Sequence, residues 1–134
     1  MANGTIAFDT LQTSGQIDGT ARSIDTDYLL NGSAKSWINF EGDNITARDS
    51  FNISSLDDDG TGDYGVNFSN SFANDDYAVS SAGSNGTAAA TSYSLNPMSY
   101  ATGAVEIEVF SVSASSVTKA DRDFSNLTVH GELA

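Results

Sequence analysis

Apolar and polar positions alternate with a period of two in several stretches of the chain. Val105, Ile107 and Val109 point one way and Glu106 and Glu108 the other, which predicts a strand with one buried and one wet face. Tyr64, Val66 and Phe68 alternate with Gly65 and Asn67, and Ala34, Ser36, Ile38 and Phe40 alternate with Lys35, Trp37 and Asn39. Phe51 with Ile53, Tyr77 with Val79, and Leu127 with Val129 give shorter versions. No helical stripe at i, i+3, i+4 competes: the longest stretch without strong breakers, 111–124, is rich in poor helix formers such as Ser115, Ser116, Val117 and Thr118. Turn signals separate the alternating runs at Asn31-Gly32, Glu41-Gly42-Asp43-Asn44, Asp59-Gly60-Thr61-Gly62, Ala73-Asn74-Asp75-Asp76 and Ser84-Asn85-Gly86. Pro97, which has no amide proton to give a ladder, is expected in a loop or at a strand edge. Short strands punctuated in this way predict an all-β protein, an antiparallel β-sandwich of jelly-roll-like type.

The first thirty residues read differently. Ile6, Phe8, Leu11, Ile17, Ile24, Tyr28, Leu29 and Leu30 are spread too thinly to make a core of their own. Residues 1–30 are therefore expected as an extended N-terminal arm or as the first strands of the same sandwich, and residues 31–134 as the sandwich domain.

Charge narrows the function classes. The 134 residues hold 18 acidic side chains against 5 basic ones, a formal charge of −13, yet only 17% of residues are charged, below the roughly 25% of an average soluble domain. Ser, Thr and Asn, at 20, 12 and 11 residues, take the missing places, and with 39% apolar residues a core can still be buried. Arg22, Lys35, Arg48, Lys119 and Arg122 are scattered singly, whereas binding a phosphate backbone needs clustered cations, so nucleic acid is not an expected partner. No apolar run reaches the roughly 18 to 20 residues of a membrane span, and the start MANGTIAFDT shows none of the regions of a signal peptide, so an unprocessed chain without membrane insertion is expected. Zero cysteines exclude disulfides, thiolate catalysis and Cys-ligated metals, and a single histidine excludes a multi-His site, so no cofactor is expected.

The residues that carry chemistry elsewhere have plainer readings here. Asp57, Asp59 and Asp63 crowd one segment and are the candidates for calcium. An EF-hand register from Asp57 places Gly62 correctly but Phe68 where the bidentate Glu belongs, so a solvated turn is the expectation. A glycosidase pair would need carboxylates from separate segments, such as Asp49 and Asp63. His130 has Ser, Asp and Glu to pair with but no Gly-x-Ser-x-Gly elbow precedes a helix. The aromatic residues Trp37, Phe40, Phe51, Tyr64, Phe68 and Tyr77 are expected as core and not as a sugar platform, except that Trp37 opposes Ile38 and Phe40 in the alternation and so faces a subunit or ligand. The small, polar stretch SSAGSNGTAAATSYS reads as an exposed loop able to carry binding, which adds Ser84, Asn85 and Tyr93 to Trp37 as ligand-contact candidates. Seven Asn-x-Ser/Thr sequons, at Asn3, Asn31, Asn44, Asn52, Asn67, Asn85 and Asn126, follow from the composition. No catalytic set emerges, and a non-enzymatic role is expected.

Three strings together carry a resemblance: GSAKSWINFEG (32–42), RDSFNISSLDDDGTGDYGVNF (48–68) and NDDYAV (74–79). They are similar to a module of phage virion proteins, particularly tail-fibre and other surface proteins of marine and cyanobacterial phages. The opening GTIAFDTLQTSGQIDGTARSIDTDYL and the ending FSNLTVHGELA also look like the ends of small members of that group, while 80–103 is the least similar part. Asp76 and the run Asp57 to Asp59 depart from the pattern by being more acidic. The resemblance implies a structural or host-facing role on the exterior of a virion, assembled in the host cytoplasm, commonly as a homotrimer. The partners would be other virion proteins and a host surface glycan or protein. It implies fibre, spike or tail-associated placement, with capsid decoration as the alternative and a carbohydrate-binding module as a remote one. Within it, Trp37, Phe40, Phe51, Tyr64, Phe68 and Tyr77 would fill the sandwich, Arg48 would pair with Asp49, Asp63 or another carboxylate, and Gly60 and Gly62 would permit a turn.

Overall fold

The computed structural model describes residues 10–13, 22–25, 30–86 and 92–134. The chain divides into two compact units, residues 1–33 and 34–134. In the first, β1 (Thr10–Thr13) and β2 (Arg22–Asp25) pair antiparallel, with Leu11 opposite Ile24. The rest of the expected arm, at 1–9, 14–21 and 26–29, lies outside the described residues, as does the centre of the expected loop at 87–91.

The second unit is the antiparallel sandwich expected from the alternation. One sheet has the order β4 (Thr46–Phe51), β3 (Ser36–Glu41), β11 (Phe124–His130), β7 (Ala78–Ser84). The other runs β5 (Ile53–Gly60), β6 (Asp63–Phe68), β9 (Ala104–Val112), β8 (Ser92–Ala101). A short β10 (Val117–Lys119) continues the β6 row along the far part of β9, because residues 104–108 of β9 face β6 and residues 110–112 face β10. The β3–β4, β5–β6, β8–β9 and β9–β10 hairpins each stay within one sheet, and the connections β4–β5, β6–β7, β7–β8 and β10–β11 cross between sheets.

Alternation decides what fills the space between the sheets. Ile38 and Phe40 of β3, Leu127 and Val129 of β11, Tyr64, Val66 and Phe68 of β6, and Val105, Ile107 and Val109 of β9 are all buried. Each contributes on the order of 1.5–3 kcal/mol of burial free energy against the entropy of ordering the chain. Their in-between neighbours face outward, so Trp37 and Asn39 line the outer face of the first sheet and Glu106 and Glu108 that of the second.

Three expectations are corrected. Phe51 and Ile53 do not share a strand: Asn52 takes a left-handed conformation (φ 58°) between them and turns the chain from one sheet to the other, leaving Phe51 54% exposed. Asn52 and Asn70 lock that crossing, since Asn52 Oδ1 accepts from both the Asn70 amide (2.7 Å) and Asn70 Nδ2 (3.0 Å). The acidic run 57–59 is not a solvated turn but belongs to edge strand β5, and the turn shrinks to residues 61–62. The expected loop SSAGSNGTAAATSYS (80–94) is strand over most of its described residues, with 80–84 in β7 paired to β11 and 92–94 in β8 paired to β9. Ser, Ala and Gly have little strand preference of their own; cross-strand pairing supplies it.

Candidate functional site

At one end of the sandwich the chain gathers the connections 42–45, 61–62, 85–86, 113–116 and 120–123. Tyr64 is fully buried there and packs edge-on to Phe40, with centroids 5.2 Å apart. Its hydroxyl donates to Asp121 Oδ1 at 2.5 Å, and the same oxygen accepts the Gly62 amide at 2.7 Å. Burial first, and the Asp121 carboxylate second, push the Tyr64 phenol far above its usual 10, so it stays neutral and donating. Gly62 is required at this point: φ is +64°, and a Cβ would lie 2.6 Å from both Ala120 N and Val109 O. Gly60, at φ +130°, makes the other bend of the hairpin.

Around this anchor lie three of the four ligand-contact candidates. Asn85 Nδ2 donates to the Tyr93 hydroxyl at 3.1 Å, and Ser84 Oγ accepts the Gly86 amide at 2.9 Å. Two residues that the sequence did not single out for this place complete the set. The Arg122 guanidinium lies 4.2 Å from the Tyr93 ring centroid, and Arg48 lies 4.2 Å from that of Phe124. Arg122 Nη1 donates to the Asp121 carbonyl at 2.9 Å, while its Nε is buried without an acceptor. Arg48 donates to the Asp123 carbonyl and sits 3.9 Å from Glu41 Oε1, so its carboxylate partner is neither Asp49 nor Asp63. Guanidinium stacked on an aromatic ring is held in place and weakly hydrated, a surface suited to planar or hydroxyl-rich groups.

Trp37 is elsewhere. It stands half-buried on the outer face of the first sheet, between Phe51 of β4 and Thr128 of β11, nearer the opposite end. Continuing that face, a shallow depression is lined by Ser80, Ser81, Ala82, Asn126, Leu127 and Thr128. The structure therefore does not bring Trp37 together with Ser84, Asn85 and Tyr93.

The acidic residues form a strip on the outer face of the second sheet. Register puts Gly65 between Asp57 and Glu106, and a Cβ at Gly65 would lie 3.3–3.4 Å from atoms of both. Burial, then the nearby charges of Asp59, Asp63 and Asp57, raise the Glu106 carboxyl above its usual range. Asp57 accepts from Asn67 Nδ2 at 2.7 Å. Asp63 and Glu108 share Lys119, whose Nζ is 2.7 Å from each. Among the described residues no three acidic or histidine side chains converge to hold a metal ion. Asp57, Asp59 and Asp63 are thus neighbours of a strip, with Asp57 held by Asn67, Asp63 by Lys119 and Asp59 beside Glu106. His130 ends β11 opposite Ala78 of β7, and Asp49 and Asp63 lie on different sheets.

The motif residues fall into two groups. Phe40, Tyr64, Phe68 and Tyr77 are buried as expected, whereas Trp37 and Phe51 face outward. Comparison with protein-family models, with curated proteins and with solved structures finds no match.

Proposed function

We propose that this chain is a structural protein of a bacteriophage particle, carried on its exterior in a fibre, spike or tail-associated module, without catalytic activity. It would assemble with copies of itself and with other virion proteins. The reading rests on the resemblance of 32–42, 48–68 and 74–79 to phage surface proteins. The observation that supports it most is how those strings are used: Phe40, Tyr64, Phe68 and Tyr77 make the interior, Gly60 and Gly62 make a turn, and Asp63 holds Lys119. A signature spent on packing and turns suits an architectural module. The end bearing Ser84, Asn85, Tyr93, Arg122 and Phe124 is the part offered to a host glycan or protein, because its stacked arginines and hydroxyls lie in or beside the connections 85–86 and 120–123, and connections are where binding is commonly placed.

Capsid decoration is the second reading, favoured by the acidic strip of Asp57, Asp59, Asp63, Glu106 and Glu108, which would repel packaged nucleic acid and suit an outer shell surface. Electron microscopy of intact particles, with quantitative mass spectrometry of copy number, tests both. Density at the tail with few copies is expected; dense coverage of the shell selects decoration, and absence from the particle removes both. For the host-facing end, purified protein should slow phage adsorption and the Tyr93→Ala variant should lose that effect. Equal activity of the two proteins would reassign the contact to another surface.

A further inference from the structure

Strand β7 is paired with β11 along all of Ala78–Ser84, and its other edge meets no strand among the described residues. An open edge presents a row of unpaired amides and carbonyls, and proteins usually blunt such rows with charge, proline or a bulge. The other edges are blunted. Arg48 and Asp49 lie on β4, and the register shifts where it faces Asn39 and Phe40. Asp57, Asp58 and Asp59 lie on β5, whose register shifts twice. Pro97 and a register shift interrupt β8, and β10 is three residues long and ends on Lys119. Strand β7, with the sequence AVSSAGS, has no charge, no proline and an unbroken register.

The surroundings point to what covers it. No charged residue occurs between Asp76 and Glu106, and that span supplies both β7 and β8. These two strands face each other across the sandwich, with Ser81 Oγ donating to the Leu95 carbonyl at 2.7 Å. One side wall is therefore uncharged in a chain of net charge −13. Met98, 57% exposed, and Tyr100, 39% exposed, add apolar surface to that wall. A basic partner would be drawn to the acidic strip. Two copies of this chain repel least where neither carries charge, and this wall joins that property to the one open edge, among the described residues, that nothing blunts.

We propose that two copies pair edge to edge through β7, antiparallel about a two-fold axis, joining their four-stranded sheets into one continuous sheet. With Ser81 opposite its own copy, Ala78 meets Ser84, Val79 meets Gly83 and Ser80 meets Ala82, so every pair is small and none brings like charges together. A two-fold contact of this kind is isologous and closes at the dimer, unlike a three-fold assembly. It is independent of where on a particle the chain resides.

Sedimentation equilibrium of the full chain tests it. A species of twice 14.0 kDa is expected, and its population should rise with salt as the like charges are screened. Ala82→Lys and Ala82→Asp, at an exposed position on β7, should each weaken the dimer at least tenfold while the thermal midpoint of the monomer is unchanged. The opposite charges separate edge disruption from electrostatics, because lowering the net negative charge alone would make the Lys variant associate more tightly. A chain that stays monomeric at high salt and at concentrations up to about 100 μM, near −5.5 kcal/mol of association, overturns the proposal. So does a trimer, and so does a dimer that both variants leave intact. A drop in the monomer's thermal midpoint in both variants, with no dimer in the parent, would show instead that the edge is covered within one chain.

Discussion

The two ends of the sandwich each bury a tyrosine, and they satisfy its hydroxyl in different ways. At one end Tyr77 packs against Phe68 and Phe72, with centroids at 5.7 and 4.6 Å, and its hydroxyl lies 2.8 Å from the Ala104 carbonyl and 3.1 Å from that of Ala101. Both acceptors are neutral backbone, and the neighbours are aromatic rings, Tyr100 among them at 5.2 Å. At the other end Tyr64 donates to a carboxylate that also holds the Gly62 amide. The first end is held mainly by ring packing, the second by a charge-assisted hydrogen bond that ties β6 to the segment after β10. Ring packing responds most to lost volume, whereas a charge-assisted hydrogen bond responds most to the loss of its donor even when the volume is kept.

The largest effect that probes this difference is a volume change at the packed end. Phe72→Ala removes a fully buried ring that touches Phe68 and Tyr77, and denaturant unfolding should show a loss of about 3–5 kcal/mol. Next comes the pair of isosteric substitutions. Tyr64→Phe should cost about 1.5–3 kcal/mol, because it strands a charged acceptor, and Tyr77→Phe about 0.5–1.5 kcal/mol, because it releases neutral ones. Equal costs would mean that the Asp121 contact is no stronger than the carbonyl contacts.

Alkaline titration sharpens the same contrast. Burial is the main cause that raises both phenols, to about 12 for Tyr77 and further for Tyr64, whereas in the unfolded chain both ionise near pH 10. The unfolded state therefore releases protons first, so the stability tied to neutral tyrosine is full below about pH 10 and falls as pH rises. Thermal midpoints should decline through pH 10 to 12, and Tyr64→Phe should flatten that decline more than Tyr77→Phe does. The smallest effect lies away from both ends, on the acidic strip. The Glu106 carboxyl is raised, so its contribution favours folding at acid pH and is lost as the group ionises. Glu106→Gln should then stabilise the chain at neutral pH by roughly 0.3 kcal/mol after screening, and high salt should reduce the part of that gain that comes from the neighbouring carboxylates, leaving the part that comes from burial.

How far these ends were legible depends on how local their causes are. Phe68 and Tyr64 sit in an alternating run, and their burial could be read directly. Phe72 sits in SNSFAN with no alternation around it; its backbone bridges Leu133, far along the chain, and its ring is buried against Phe68, Tyr77 and Gly131. Asp121 offered no signal at all, being one of 18 acidic residues until the fold set it against Tyr64. The gathering of Asn85, Tyr93 and Arg122 was half visible. A polar stretch with an Asn-Gly turn marked the first two, but Arg122 arrives from another segment to stack on Tyr93. The outward placement of Trp37 followed from its parity on β3, whereas the exposure of Phe51 did not, because one left-handed Asn between two strands ended the alternation.

By itself, then, the amino-acid sequence determined the class of fold, the faces of β3, β6, β9 and β11, and the main turns. These depend on side-chain period and on local backbone preference, both of which act within a few residues. The tertiary structure alone decided that the Ser- and Ala-rich segment 78–84 becomes an edge strand, that the acidic run lies on β5, and that a single carboxylate holds the buried end at Tyr64. Each of these results from pairing across long stretches of chain, where the partner's hydrogen bonds and packing, and not the segment's own propensity, supply the free energy.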